Sequence, residues 1–282
     1  GRQGEAMPRV LITGAGGLLG GYLVRAATAR GLDVVPWSGR ADVDLADPES
    51  VAAAYLAARP DVTLHAAAMA RIDECEREPE RARQVNARAA AHLAELAQRH
   101  GAHLLYVSTD MVFSGSEAPY AEDALPRPLS HYGVVKAEGE AGVLAHSHAV
   151  ARVSLLVGPS LTGKPTFFGG QAEALRGGKS ITLFEDEWRT PLDLSAAAEG
   201  LLDLALARAE GVWHLGGPER LSRLEMGLLL ARALGADESA CVAVKRPADR
   251  PRDLSLDCSK WRAAFPSSPW PTLSQAWASA RD

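Results

Sequence analysis

The sequence predicts an α/β protein in which a doubly wound parallel sheet is followed by a smaller C-terminal lobe. Short apolar runs alternate with Ala-rich helical stretches from Arg9 to Ser154, a glycine-rich turn joins the first run to the first helix, and the regular order breaks after Gly158.

The strand candidates are 10–13, 33–37, 63–66, 103–108 and 149–154. They are predominantly apolar, as suits strands covered on both faces. Helical stretches at 18–30, 48–58, 79–100 and 130–146 carry apolar residues at spacings of three and four, with charges elsewhere. Residues 159–170 are rich in Gly, Pro and Thr, and a second lobe is expected to start there. The division is therefore 7–157 for the first domain and 158–282 for the second. A helix and strand at about 193–215 are expected to return to the first sheet.

At 282 residues the chain can bury a full core without staples. Its three cysteines, Cys75, Cys241 and Cys258, form neither a disulfide framework nor a C-x-x-C pair, which points to a reducing cytoplasm. A net charge of −5 with both signs mixed along the chain gives no basic stripe for nucleic acid or for an anionic membrane. No apolar run approaches the roughly 20 residues of a membrane span. Residues 1–6 lack the apolar segment of a signal peptide and read as a loose lead ahead of Met7. No His, Cys or carboxylate spacing specifies a metal. Cys75, Asp73 and Glu76 read as surface. An apolar helix face toward a second copy would look like one toward a core, so a homodimer stays open.

The first turn reads Val10-Leu-Ile-Thr-Gly14-Ala-Gly-Gly17-Leu18-Leu19-Gly20. Gly14 permits the tight turn, Gly17 admits a pyrophosphate to the backbone, and Gly20 lets helix and strand lie close. Free N–H groups at the helix start face the negative charge. At the end of the second strand an acidic side chain would hold the ribose 2′-hydroxyl of NAD. That place reads Trp37-Ser38-Gly39-Arg40, where a hydroxyl and a guanidinium suit the 2′-phosphate of NADP. NAD remains open through Asp42 or Asp44, the latter followed by Leu45. Small residues Ala66, Ala67 and Ala68 after the third strand let a cofactor pass close to the sheet, and His65 reads as a packed histidine.

His131-Tyr132-Gly-Val-Val-Lys136 puts a phenol and an ammonium on one helix face. A carbonyl reduction needs a proton on oxygen, and a cation beside the phenol is expected to lower its usual pKa of about 10. Hydroxyls at the end of the fourth strand sit where such sheets bind ligands. Thr109 is the expected donor to a substrate carbonyl, with Ser108 second and Asp110 bracing the loop. Arg250 is a candidate for a nucleotide diphosphate, and Trp188-Arg189-Thr190-Pro191 for a pocket wall.

These motifs together, over nearly the whole chain, resemble the extended short-chain dehydrogenase/reductase superfamily. Ser108-Thr-Asp-Met-Val-Phe-Ser-Gly115, Tyr132-Gly-Val-Val-Lys136, and Arg250-Pro251 leading to Leu256-Asp257 and Lys260 narrow the likeness to the dTDP-4-dehydrorhamnose reductase family. Val85-Asn86-Ala87 and His65-Ala-Ala-Ala68 also fit. The resemblance implies a Rossmann lobe binding NADP and a smaller lobe binding a sugar nucleotide. It implies a catalytic set of Thr109, Tyr132 and Lys136, with Ala66, Ala67 and Lys136 against the cofactor. Two departures stand near the expected sugar: Met111 replaces an aromatic residue and Leu155 replaces Trp, which changes pocket shape and hydrogen bonding. Met111 also replaces the Glu that sugar-nucleotide dehydratases use, and a thioether has no proton to exchange. Epimerisation stays open. So does a regulatory role, since the same family includes the beta subunits of methionine adenosyltransferase, which resemble the reductases and bind NADP.

Overall fold

The computed structural model describes residues 6–279, so residues 1–5 of the N-terminal lead and residues 280–282 lie outside it. Strand and helix alternate through β1 (Arg9–Thr13), α1 (Leu18–Ala29), β2 (Asp33–Trp37), α2 (Pro48–Ala58), β3 (Val62–His65), α3 (Ile72–Arg77), α4 (Pro79–Arg83), α5 (Ala89–Arg99), β4 (His103–Thr109), α6 (His131–Leu144) and β5 (Ala149–Val153). There follow β6 (Leu156–Val157), α7 (Phe167–Arg176), β7 (Ile181–Phe184), β8 (Trp188–Arg189), β9 (Leu192–Asp193), α8 (Leu194–Leu206) and β10 (Gly211–Leu215). The chain continues through β11 (Leu221–Ser222), α9 (Arg223–Leu234), β12 (Cys241–Val244), α10 (Ser259–Ala264) and α11 (Leu273–Ser279).

Six parallel strands form one sheet in the order β10-β5-β4-β3-β1-β2, a doubly wound Rossmann-type arrangement. The apolar runs explain why it is covered on both faces. Alternate residues point to opposite sides, so Val10, Ile12, Leu105, Ala149 and Ala151 join one core with Leu23 of α1 and Leu201 of α8. Leu11, Leu104, Tyr106 and Val150 join the other with Tyr55 of α2 and Leu93 of α5. Each large apolar side chain buried there contributes about 1.5–3 kcal/mol relative to exposure.

The expected strand at 63–66 starts one residue earlier and ends at His65. The expected helix at 79–100 is broken by a π-helical turn, Gln84–Arg88. Asn86 lies in that turn, its side chain accepting from Met69 N at 2.8 Å and donating to Met69 O at 3.0 Å, so the extra residue of the turn serves a loop contact.

The later elements pair as three two-stranded sheets, β6 with β9, β8 with β11 and β7 with β12. They enclose their own apolar clusters, one around Val157, Leu221, Met226 and Leu273 and another around Leu175, Leu230 and Ala231. No helix among the described residues is long and apolar enough to cross a membrane.

Candidate active site

Strand order reverses between β1 and β3, where an open parallel sheet leaves a crevice at its carboxyl ends. A cavity of about 440 Å³ opens there. Its walls include Gly14, Gly17, Leu18 and Leu19 from the glycine turn, Arg40, Asp44 and Leu45 from the loop after β2, and Ala66, Ala67 and Ala68 after β3. Gly14 takes φ +66°, and a Cβ on it would lie 2.7 Å from Ala67 N. A Cβ on Gly20 would lie 1.8 Å from Gly14 O, so only glycine lets α1 start this close to β1.

Several lining residues were not assigned to the cofactor from the sequence: Thr13, Val43, Ala70, Arg81 and Val85. Thr13 had a signal, since it ends β1 directly before the turn. Its hydroxyl accepts from Ala67 N at 3.1 Å and shares a hydrogen bond with His65 Nδ1 at 2.6 Å. His65 is fully buried, stacks on Tyr106, and burial with the neighbouring Lys136 charge lowers its pKa to about 3. It is a neutral packed residue. Ser38, expected at the cofactor, is exposed and lies outside the cavity's lining, its N–H donating to Asp42 at 2.8 Å, and Arg40 Nε stands 3.5 Å from Asp44.

Tyr132 and Lys136 lie in the first turns of α6, which Ser130 caps by accepting from Gly133 N at 3.1 Å. Tyr132 packs in one cluster with Val85, which itself lines the cavity, and with Ala46. The expectation of a depressed phenol is not met. Burial foremost, then the Asp110 carboxylate, push Tyr132 up to about 12, against a hydrogen bond with Thr109 that pulls it down. Lys136 is 3% exposed, donates to Val107 O at 2.7 Å, and stands 4.2 Å from the centre of the Tyr106 ring. Burial lowers its pKa to about 7, with Glu140 opposing. Thr109 accepts from Met111 N at 3.1 Å and so caps the short 3-10 turn that carries Met111. Leu155 packs beside Val157 and Leu221 on the second group of elements.

Three expectations need correction. Ser108 donates its hydroxyl to Glu140 at 2.6 Å and is buried, directed into the protein rather than to a substrate. Glu140 is paired with Arg152 at 2.7 Å, and Arg152 Nη1 donates to His214 Nε2 at 3.2 Å. His214 in turn donates to Tyr120 O at 2.9 Å, its pKa lowered to about 3 by burial and by Arg152. Arg189 is likewise committed inward, with Nε 2.6 Å and Nη2 2.5 Å from the buried carboxylate of Asp110. A buried carboxylate without that partner would be costly, so the pair braces the loop after β4 against β8. Cys75, read as surface, is buried and donates its thiol to Met69 O at 3.3 Å. Arg250 is partly exposed, its Nε 2.7 Å from Glu187. No group of three or more metal-ligating side chains occurs among the described residues.

The family described as the RmlD substrate binding domain matches residues 8–279. The sequence is 34% identical over 271 residues to a dTDP-4-dehydrorhamnose reductase of Streptomyces griseus, covering 91% of this chain and 88% of that one. It is 31% identical over 306 residues to methionine adenosyltransferase 2 subunit beta of Mus musculus, covering 94% and 88%. The structure of a dTDP-4-dehydrorhamnose reductase from Bacillus anthracis in complex with NADP matches in fold with a TM-score of 0.88. At 23% identity, that likeness covers 97% of this chain and 98% of that one.

Proposed function

The chain belongs to the RmlD substrate-binding family, the dTDP-4-dehydrorhamnose reductase-like branch of the extended short-chain dehydrogenases/reductases, and from that premise we propose that it reduces a keto group on a nucleotide-linked sugar with NADP. The observation that supports the reading is the cavity at the switch point of the sheet, walled by the glycine turn and Ala66 to Ala68, with Tyr132 packed on the apolar cluster that includes Val85, itself a wall of that cavity.

The residues present fit the cofactor. Gly14, Gly17, Leu18 and Leu19 would take the pyrophosphate at the start of α1, Ser38, Arg40, Asp44 and Leu45 the adenosine end, and Ala66, Ala67 and Ala68 the stretch across the sheet. NAD would use the same cradle with Asp44 at the ribose. The bound nicotinamide supplies the hydride. Tyr132, held protonated near neutrality by burial, gives its proton to the carbonyl oxygen, and Thr109 aligns that oxygen. Lys136 lies one helical turn on, and its ammonium form favours the phenolate left behind. Met111 and Leu155 face the sugar with apolar surface. In this reading residues 7–157 hold the dinucleotide, 158–282 form the substrate lobe with 193–215 returning to the main sheet, and Arg250 serves a diphosphate.

A second reading, a regulatory partner of a methionine adenosyltransferase, is favoured by the 31% identity to such a subunit over 94% of the chain. One experiment separates the two. The purified protein is titrated with NADPH and NADH, and nicotinamide absorbance is then followed with a panel of nucleotide-linked 4-keto sugars. Oxidation with any member supports the reductase. Tight NADPH binding with no oxidation across the panel favours the regulatory reading, and no binding of either dinucleotide overturns both.

A further inference from the structure

The adenosine end of the cavity has two facing walls. One is the loop after β2, with Arg40, Val43, Asp44 and Leu45; the other is the helical stretch that carries Arg81 and Val85. The two meet in one apolar cluster, in which Ala46 of the loop packs against buried residues that include Val85. Arg81 precedes Val85 by four residues, and both line the cavity together with the loop residues.

The charges there do not balance. Arg40 stands 3.5 Å from Asp44, its ion-pair partner. On the opposite wall, Arg83 pairs with Glu138 at 2.9 Å and Arg88 with Glu80 at 2.8 Å. Arg81 is half-buried, lines the cavity, and makes no ion pair or hydrogen bond through its guanidinium among the described residues. The cavity lining therefore carries one cation without an ion-pair partner among the described residues. The remaining anion on a dinucleotide of this class is the adenosine 2′-phosphate, which falls at the end of β2. With Asp44 beside it, Arg40 would share its charge between that carboxylate and the phosphate.

We propose that Arg81 is the second cation for the adenosine 2′-phosphate and a determinant of NADP over NAD, an inference that rests on the dinucleotide reading above. Charge-assisted hydrogen bonds of this kind are worth about 10- to 100-fold in affinity. The test measures dissociation constants of NADPH, NADH, 2′,5′-ADP and 5′-AMP for the unaltered chain, Arg81→Leu and Arg81→Lys. The expected result is a loss of about 10- to 100-fold for NADPH and 2′,5′-ADP in Arg81→Leu, partial recovery in Arg81→Lys, and NADH and 5′-AMP almost unmoved. The unchanged NADH affinity also reports that the variant is folded. Equal losses for both pairs would place Arg81 on the shared adenine or pyrophosphate, and no loss for NADPH would remove it from the site; either overturns the inference while leaving the dinucleotide reading standing. No dinucleotide binding by the unaltered chain would overturn that reading and this one with it.

Discussion

Replacing Arg152 by Met tests how the helix that carries Tyr132 and Lys136 is held in place. In the native chain Glu140 of α6 is 2% exposed and receives Arg152 through Nε at 3.1 Å and Nη2 at 2.7 Å, with Ser108 as a third donor at 2.6 Å. Methionine fills comparable volume without charge and leaves the carboxylate with Ser108 alone. Removing one partner of a buried pair costs about 3–5 kcal/mol. Urea unfolding followed by circular dichroism should therefore show Arg152→Met less stable than the parent by about 3–4 kcal/mol at pH 7. Adding Glu140→Gln to Arg152→Met should recover part of that loss. No recovery in the double variant would refute the assignment of the cost to a stranded carboxylate.

Tyr132→Phe removes the proton donor and should lower turnover by about two orders of magnitude or more while NADPH affinity stays nearly constant; unchanged turnover would take Tyr132 out of the mechanism. Gly20→Ala places a methyl group 1.8 Å from Gly14 O, so dinucleotide affinity should collapse, and titration of a folded Gly20→Ala variant with native affinity would contradict the geometry. Buried histidines set the acid limit. His65 and His214 have folded pKa values of about 3 against about 6.5 unfolded, so the unfolded chain binds the extra protons between those values. Their cost is absent above pH 6.5 and grows as pH falls, reaching on the order of 2 kcal/mol each at pH 5. The urea midpoint should drop between pH 7 and pH 5 and drop less in His214→Gln; equal slopes would assign the acid sensitivity elsewhere.

Local information and long-range packing divided the problem between them. The alternation of apolar runs with helical stretches, the three glycines between β1 and α1, and the Tyr132 to Lys136 spacing are set by neighbours within a few residues. They determined the doubly wound sheet and placed the cavity wall at Gly14, Gly17, Leu18, Leu19 and Ala66 to Ala68. What the sequence could not hold was the partner of each polar side chain. Ser108 and Arg189 stand at the carboxyl end of the sheet and beside the pocket wall, yet their donors go to Glu140 and Asp110, which lie 32 and 79 residues away. The phenol of Tyr132 is raised rather than lowered because burial and Asp110 outweigh any nearby cation, a balance of dielectric and distance that spacing along one helix does not encode. Arg81 is one of several arginines in a charged helical stretch, and only the fold leaves it unpaired and facing the cavity. Period and turn chemistry are short-range and legible in one dimension; solvation and charge pairing are decided where the chain returns to itself.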